Sequence, residues 1–405
     1  MDLMPILATL KRHKTAAGLI VLQVALTCAI VSNALFMIFQ RLERINAPSG
    51  LAEQEIISLR ISSLTPNPNF VALTRADLQA LEKVEGVKAR TMISTVPFGD
   101  SHQMTSAKLT ADENEIGINV STYRGSEGWL QTLGLKLIAG RDFTADEYRD
   151  ESVDGEDDGN PVKAIVINKA LADRLFNGDA LGKSIYTDGD VPKRVVGVLE
   201  QLISAQPTGD GEQGRYAVFS PERPSYRSGN FLLRTSPEAR DRVMKAAIAA
   251  LAQNDPLRIV REKNKLSDMR EAYYRQDSFM VWLLISVCIA LLIVTAFGIV
   301  GLASFWVQQR TKMIGTRRAL GATRGQILRY FQAENFLLST MGIVLGVAAA
   351  FGISLMLMKF YEMPRLPLVY VPVSALALWA LGQLAVWSPA RRAAALPPVA
   401  ALRGA

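Results

Sequence analysis

Histidine is nearly absent from this 405-residue sequence: there are two, His13 and His102, against 45 Lys and Arg. One sits in a basic flank and the other in a polar stretch, so they supply neither a metal cluster nor a Ser–His catalytic pair. Cysteine is as scarce. Cys28 and Cys288 both lie inside apolar runs, which excludes a disulfide framework and a zinc site and leaves packing alone to hold any large outer domain together. No G-x-x-x-x-G-K-[ST] segment occurs, so the chain has no Walker A loop with which to hold ATP. The long apolar runs are almost free of ionisable side chains, which argues against an ion or proton pathway through a bilayer. The formal charge of +7 would suit nucleic acid only if the cations shared one soluble face. Many instead flank apolar runs, where they set membrane orientation, so nucleic acid is not an expected partner.

What is present is concentrated in four apolar blocks. Lys11-Arg12-His13-Lys14 precedes the first, residues 16–39. At about 24 residues, roughly 36 Å of helix, it is long enough to cross a bilayer with some tilt. It is too long for a signal-peptide core, and no A-x-A cleavage site follows, so a retained span with its N-terminus inside is expected. Residues 279–307, 336–360 and 368–386 read as three further spans. Pro364, Arg365 and Pro367 form a short outer loop, and the basic tail from Ser388 belongs in the cytoplasm. The third span contains Gly342-x-x-x-Gly346, a small-residue face suited to close helix packing.

Residues 40–277 have soluble character. Ile57, Leu59 and Ile61 alternate as a strand; Thr74 is expected to cap a helix through Val84, and residues 87–96 read as a second strand. The same order recurs with a strand at 231–235, a helix capped by Ser236, and a strand at 257–261. Two such β-α-β units facing each other predict an α+β sandwich of ferredoxin-like type. Between them, at about 123–224, lies an expected inserted subdomain. It holds Gly128-Trp129-Leu130-x-x-Leu133-Gly134, then Gly140-Arg141-Asp142-Phe143, then a strand at 164–167, a helix capped by Asn168, and Leu181-Gly182-Lys183. A hairpin with Asp188-Gly189 in its turn follows. The acidic stretch 146–158 lacks the ligand spacing of an EF-hand and reads as a solvated loop. From Leu266 a helical pattern runs unbroken into the second span, which predicts a rigid rod.

The most informative stretch is 308–334, wedged between two spans. It carries Arg310, Lys312, Arg317, Arg318, Arg324 and Arg329, and no acidic residue before Glu334. A short loop this basic is held on the cytoplasmic side. Within it, residues 323–331 place Ile327, Leu328 and Phe331 at helical spacing among arginines, the pattern of an amphipathic helix lying on the membrane surface.

The order Ile314-Gly315, then Arg317-Arg318-Ala319-Leu320-Gly321-Ala322, then an amphipathic helix resembles the cytoplasmic loop of MacB/FtsX-type permeases of ABC transporters. The tail, Pro389-x-x-x-Ala393 followed by Pro397-x-x-Ala400-x-Leu402-Arg403, and the clusters at 128–143 and 165–183 are similar to the same family. The resemblance implies an α-helical membrane protein of four transmembrane helices with a large α+β extracytoplasmic domain. Its parts would be 1–39, 40–277 and an FtsX-like 278–405 with a coupling loop at 308–334. It implies a non-catalytic permease of the inner membrane, without a cofactor, that passes ATP-driven movement from a separate ATPase to its periplasmic domain for export or relay of a substrate. The ATPase-coupling residues would be Arg310, Ile314, Gly315, Arg317, Arg318, Gly321, Ala322 and Ile327. A homodimer or heterodimer with a second permease is implied, and an adaptor protein with an outer-membrane channel is compatible with it. The alternative is an FtsX-like transmitter that activates an envelope enzyme and moves no cargo. One departure stands out: the family usually has Glu before Ile-Gly, and here that position is Met313.

Both termini and residues 308–334 are therefore expected inside and 40–277 outside. Reporter fusions at Gly209 and Gly325 should report opposite compartments, and a shared compartment would exclude this topology.

Overall fold

A computed structural model describes residues 14–64, 69–112, 115–151, 161–187, 189–205, 207, 214–225, 229–361 and 367–395. The basic flank at 11–13, most of the acidic stretch, Asp188, Gly209, Pro364, Arg365 and the tail motif at 397–403 lie outside the described residues. The chain divides into two compact units, one of Met1–Asn46 with Gln276–Ala405 and one of Ala47–Arg275.

In the second unit, a four-stranded sheet has the order β13-β1-β12-β2, formed by β1 (Ile56–Ser63), β2 (Ala89–Ile93), β12 (Asn230–Arg234) and β13 (Arg258–Lys265). Every neighbouring pair is antiparallel. Helix α2 (Phe70–Glu82) joins β1 to β2, and α5 (Arg240–Asn254) joins β12 to β13. Taking these four strands alone, the order is 4-1-3-2 with two β-α-β units, the ferredoxin-like arrangement. Both helices pack on one face through Leu78, Leu81, Val243 and Leu251 against Leu59 and Phe231. The cap of α2 differs from expectation. Asn69, not Thr74, accepts from the backbone N–H of Ala72 at 3.0 Å, while Thr74 lies inside the helix and donates to Phe70 O. Both residue types cap well, and the earlier one starts the helix.

Between β2 and β12 a second sheet has the order β3-β4-β10-β7-β9-β5, with β8 (Ser184–Ile185) paired to β9. Its strands are β3 (Met104–Ala107), β4 (Ile118–Arg124), β5 (Leu137–Gly140), β7 (Ala164–Asn168), β9 (Lys193–Leu199) and β10 (Ala217–Ser220). The sheet begins at Met104, well before the expected start near 123, because β3 has no alternating apolar signal to announce it. Asn168 caps α4 (Lys169–Phe176) by accepting from Leu171 N. Trp129, on the short α3 (Trp129–Leu133), stacks on Phe219 at 3.8 Å and donates to Asp142 at 3.0 Å. That one ring ties two of the motif clusters into a core that no disulfide supports.

The expected rod is interrupted. Helix α6 (Leu266–Tyr273) ends at Tyr274 (φ −87, ψ 7), and α7 (Arg275–Gln309) begins after it. Tyr274 is buried against Phe98, with Arg270 over both rings. That aromatic cluster sets the break, and helical periodicity does not reveal it.

In the first unit, α1 (Lys14–Asn46), α7, α9 (Arg324–Tyr361) and α10 (Tyr370–Ala395) are each long and apolar enough to cross a membrane. Polar pairs connect them: Thr27 with Thr295 at 2.8 Å, Ser32 with Ser374 at 2.7 Å, and Asn33 donating to Ala350 O at 3.3 Å. Arg41 and Asp277 pair where α1 ends and α7 begins. Phe279, Trp282 and Phe297 on α7 are exposed, as suits a hydrocarbon surround. Helix α9 approaches α1 through its glycines. A Cβ on Gly342 would lie 2.7 Å from Val24 Cβ, and one on Gly346 would lie 2.6 Å from both Ala25 O and Cys28 Cβ.

Gly346→Val should therefore destabilise the purified chain by about 1–3 kcal/mol through overpacking. Gly352→Val, at an open position on the same helix, should leave it within about 0.5 kcal/mol. Equal effects in a detergent-denaturation series would show that the α1–α9 approach is not close.

Candidate functional site

The basic loop folds as a helix, a turn and the start of a second helix. After α7, Arg310 leaves the helical path (φ −104, ψ 13) and α8 (Thr311–Ala319) begins. The run Ala319-Leu320-Gly321-Ala322-Thr323 then encodes a stop and a start. Gly321 is left-handed at φ +94; its N–H donates to Arg318 O at 3.2 Å, and that of Ala322 to Arg317 O at 2.9 Å. Those two bonds satisfy the last carbonyls of α8 as a Schellman motif, which glycine adopts without steric cost. Thr323 and Gln326 then cap α9 reciprocally: Thr323 N donates to Gln326 Oε1 at 2.9 Å, and Gln326 N to Thr323 Oγ1 at 3.3 Å. The turn is capped on both sides by its own residues, which set its shape.

The expected surface helix at 323–331 is not a separate element. It is the first turns of α9, a continuous helix of 38 residues that also contains the third span. The arginines that suggested an interfacial helix lie at the base of a spanning one, and no helix breaker separates the two parts. The short helix of the loop is α8.

Burial sorts the eight expected coupling residues. Ile314, Gly315 and Ile327 are buried. With Trp306 and Phe331, Ile314 and Ile327 belong to the cluster that also takes in Ala390, Ala393 and Ala394 of α10. Arg310 is also buried, 7% exposed, and Glu334 of α9 is 1% exposed. One Arg310 nitrogen lies 2.7 and 3.0 Å from the two Glu334 carboxylate oxygens, and the guanidinium stands 5.5 Å over the Trp306 ring. Arg317, Arg318 and Ala322 are half-buried, with Arg317 5.0 Å over the Tyr330 ring. Gly321 alone of the eight is exposed. The open surface of the loop includes Lys312, Thr316, Leu320, Gly321, Thr323, Arg324, Gln326 and Arg329. Met313 is half-buried on α8.

Two residues were missed by sequence reasoning. Glu334 marked only the end of the basic run, although a lone carboxylate closing so cationic a stretch is a signal for a buried partner. Leu320 is 84% exposed, which its place in the Ala319-Leu320-Gly321-Ala322 run does not announce. A single exposed apolar side chain is ordinary on a protein surface; what distinguishes Leu320 is its place beside Gly321 at the capped tip of the loop.

Two family models match the chain. The model of the MacB-like periplasmic core domain matches residues 20–251, and that of the FtsX-like permease C-terminal domain matches 285–398. The uncharacterized ABC transporter permease YknZ of Bacillus subtilis is 26% identical over 349 residues, covering 84% of this chain and 82% of that one. The uncharacterized ABC transporter permease YvrN of the same organism is 30% identical over 295 residues, covering 69% of each. The macrolide export ATP-binding/permease protein MacB of Rhodopseudomonas palustris is 28% identical over 289 residues, covering 68% of this chain but 41% of that longer one.

The buried ion pair yields a direct test. Glu334→Gln leaves Arg310 charged, buried and without its carboxylate, and should destabilise the chain by about 3–5 kcal/mol. Replacing both partners by Met should recover most of that loss. A single variant no worse than the double would show that the pair is not buried in the folded protein.

Proposed function

The chain belongs to the MacB/FtsX family of ABC transporter permeases, and from that premise we propose that it transmits movement from a separate cytoplasmic ATPase to its outer domain. The observation that carries this reading is the exposed Leu320-Gly321 tip. It is held on a turn that is capped on both sides and anchored at its base by Arg310 and Glu334. A contact surface built this way moves with α8 and α9 as one piece. A push on the tip therefore reaches α9 directly and α7 through Arg310, and α7 leads by one non-helical residue, Tyr274, into α6 of the outer unit.

ATP hydrolysis is assigned to the partner, since this sequence has no Walker A loop of its own. The relative named for macrolide export carries ATP-binding and permease parts in one name and is the longer chain. Here the two parts would meet as separate subunits. A second permease, identical or related, completes the assembly in the inner membrane, with the outer domain on the periplasmic side. Met313 in place of the family's usual Glu favours a related partner that retains the carboxylate. An interfacial charge pair can contribute about 1.5–7 kcal/mol, whereas methionine supplies only an adaptable apolar contact. The two-part outer domain favours transport or relay of a substrate over activation of an envelope enzyme.

Leu320→Asp tests the docking surface without the backbone strain that any substitution at Gly321 would add. Copurification of the ATPase should be lost while the unfolding midpoint of the permease stays within about 0.5 kcal/mol of the parent. Unchanged ATPase recovery would remove the coupling role and leave the loop a determinant of topology only.

A further inference from the structure

The motif clusters of the inserted subdomain converge on a cavity that the transmission mechanism does not use. It has a volume of 630 Å³, within the range of small-molecule sites. Its wall brings together Gly140 and Arg141 at the end of β5, Leu181 and Gly182 in the turn before β8, Lys163 at the entry to β7, and Arg194 on β9. Gly140 is left-handed at φ +79, and a Cβ there would lie 2.2 Å from Val196 O, so this corner closes only around glycine.

Charge in the cavity is strongly one-sided. Arg141, Arg149, Lys163 and Arg194 face two carboxylates, Asp146 and Glu147. Glu147 is committed internally: Arg141 grips its two oxygens at 2.7 Å each, and Thr144 N donates to it at 2.8 Å. The Arg141 contact foremost holds its carboxyl down at about 2. Arg149 donates to the carbonyls of Asp146 and Tyr148. Lys163 and Arg194 remain, both exposed, with no carboxylate in ion-pair reach among the described residues. Pro161, Leu181 and Val196 supply apolar surface beside them.

We infer that this cavity binds a small organic anion, a carboxylate or phosphate ester on an apolar body, with Lys163 and Arg194 as its charge partners. Arginine matches the planar or tetrahedral oxygens of such a group with paired donors, lysine supplies a mobile point charge, and the apolar wall takes the rest of the molecule. The inference rests on the cavity alone and stands or falls independently of the coupling loop.

The test uses the full chain in lipid nanodiscs without ATPase, titrated calorimetrically at low salt with benzoate and with phenyl phosphate. Saturable binding of at least one probe at one site per chain is expected, and the preferred probe identifies the anionic group. The double variant Lys163→Gln/Arg194→Gln should weaken it about tenfold or more, whereas Lys136→Gln, at an exposed residue outside the cavity paired with Glu200, should leave it unchanged. Absence of binding by either probe at millimolar concentration would overturn the proposal, as would equal weakening by the Lys136 variant, which would indicate diffuse charge. Binding that emerges only when Asp154, Asp157 and Asp158 are replaced by Asn would also overturn it, by assigning the cavity to the chain's own carboxylates.

Discussion

Arg310 and Glu334 form a buried ion pair at the base of the helix bundle, and the basic loop is arranged around it. Removing two charges from water costs several kcal/mol each, and their mutual attraction does little more than offset that cost. What such a pair supplies is geometric: neither partner can leave without stranding the other, so the ends of α7 and α9 are held together across the loop. Trp306 closes over the guanidinium and Ile314 fills the space beneath α8. With its base fixed, the turn at Gly321 is free to present apolar surface to water. Lys312, Arg324 and Arg329 stay on the surface of the loop.

The two units solve the problem of cohesion by different means. In hydrocarbon there is no solvent driving force for apolar contact between helices, so closeness and polar bonds must serve. Gly342 and Gly346 let α9 lie against α1 backbone to side chain, and Thr27, Ser32 and Asn33 of α1 bond to α7, α10 and α9 in turn. The outer unit is built in water and relies on burial. Trp129, Phe219, Phe143 and Tyr123 form an aromatic core, with Asp142 satisfying the indole N–H. A domain exposed to an oxidising compartment commonly uses disulfides; this one is stabilised by ring packing and sheet pairing.

Much of this was legible in the residues because the signals were local. The four apolar runs, the β-α-β order repeated on either side of an insertion, and Asn168 as a helix cap all depend on periodicity or on chemistry within a few positions. The parts that escaped are set at a distance. Tyr274 ends α6 because Phe98, far away in the chain, receives its ring. Arg310 looks like any loop cation until Glu334 is brought beside it. Residues 323–331 have the pattern of a surface helix, and only the absence of a break before the third span shows that they begin a spanning one. For Tyr274 and Arg310 the local sequence fits two structures, and a tertiary contact selects between them.

The placement of the insertion has a consequence for how the chain is made. In the ferredoxin-like sheet β1 is an interior strand, and its partners are β12 and β13, with Ile56 opposite Arg234. Synthesis at about 5–20 residues per second separates the two partners by roughly 10–35 s. Throughout that interval β1 has left the ribosome with both edges unpaired, an arrangement prone to mispairing with other chains. The inserted sheet holds its own strand partners and can collapse first, which shortens the effective loop that the later pairing must close. The insert thereby acts as a folding spacer, drawing β2 and β12 together before the sheet that encloses it in sequence is complete.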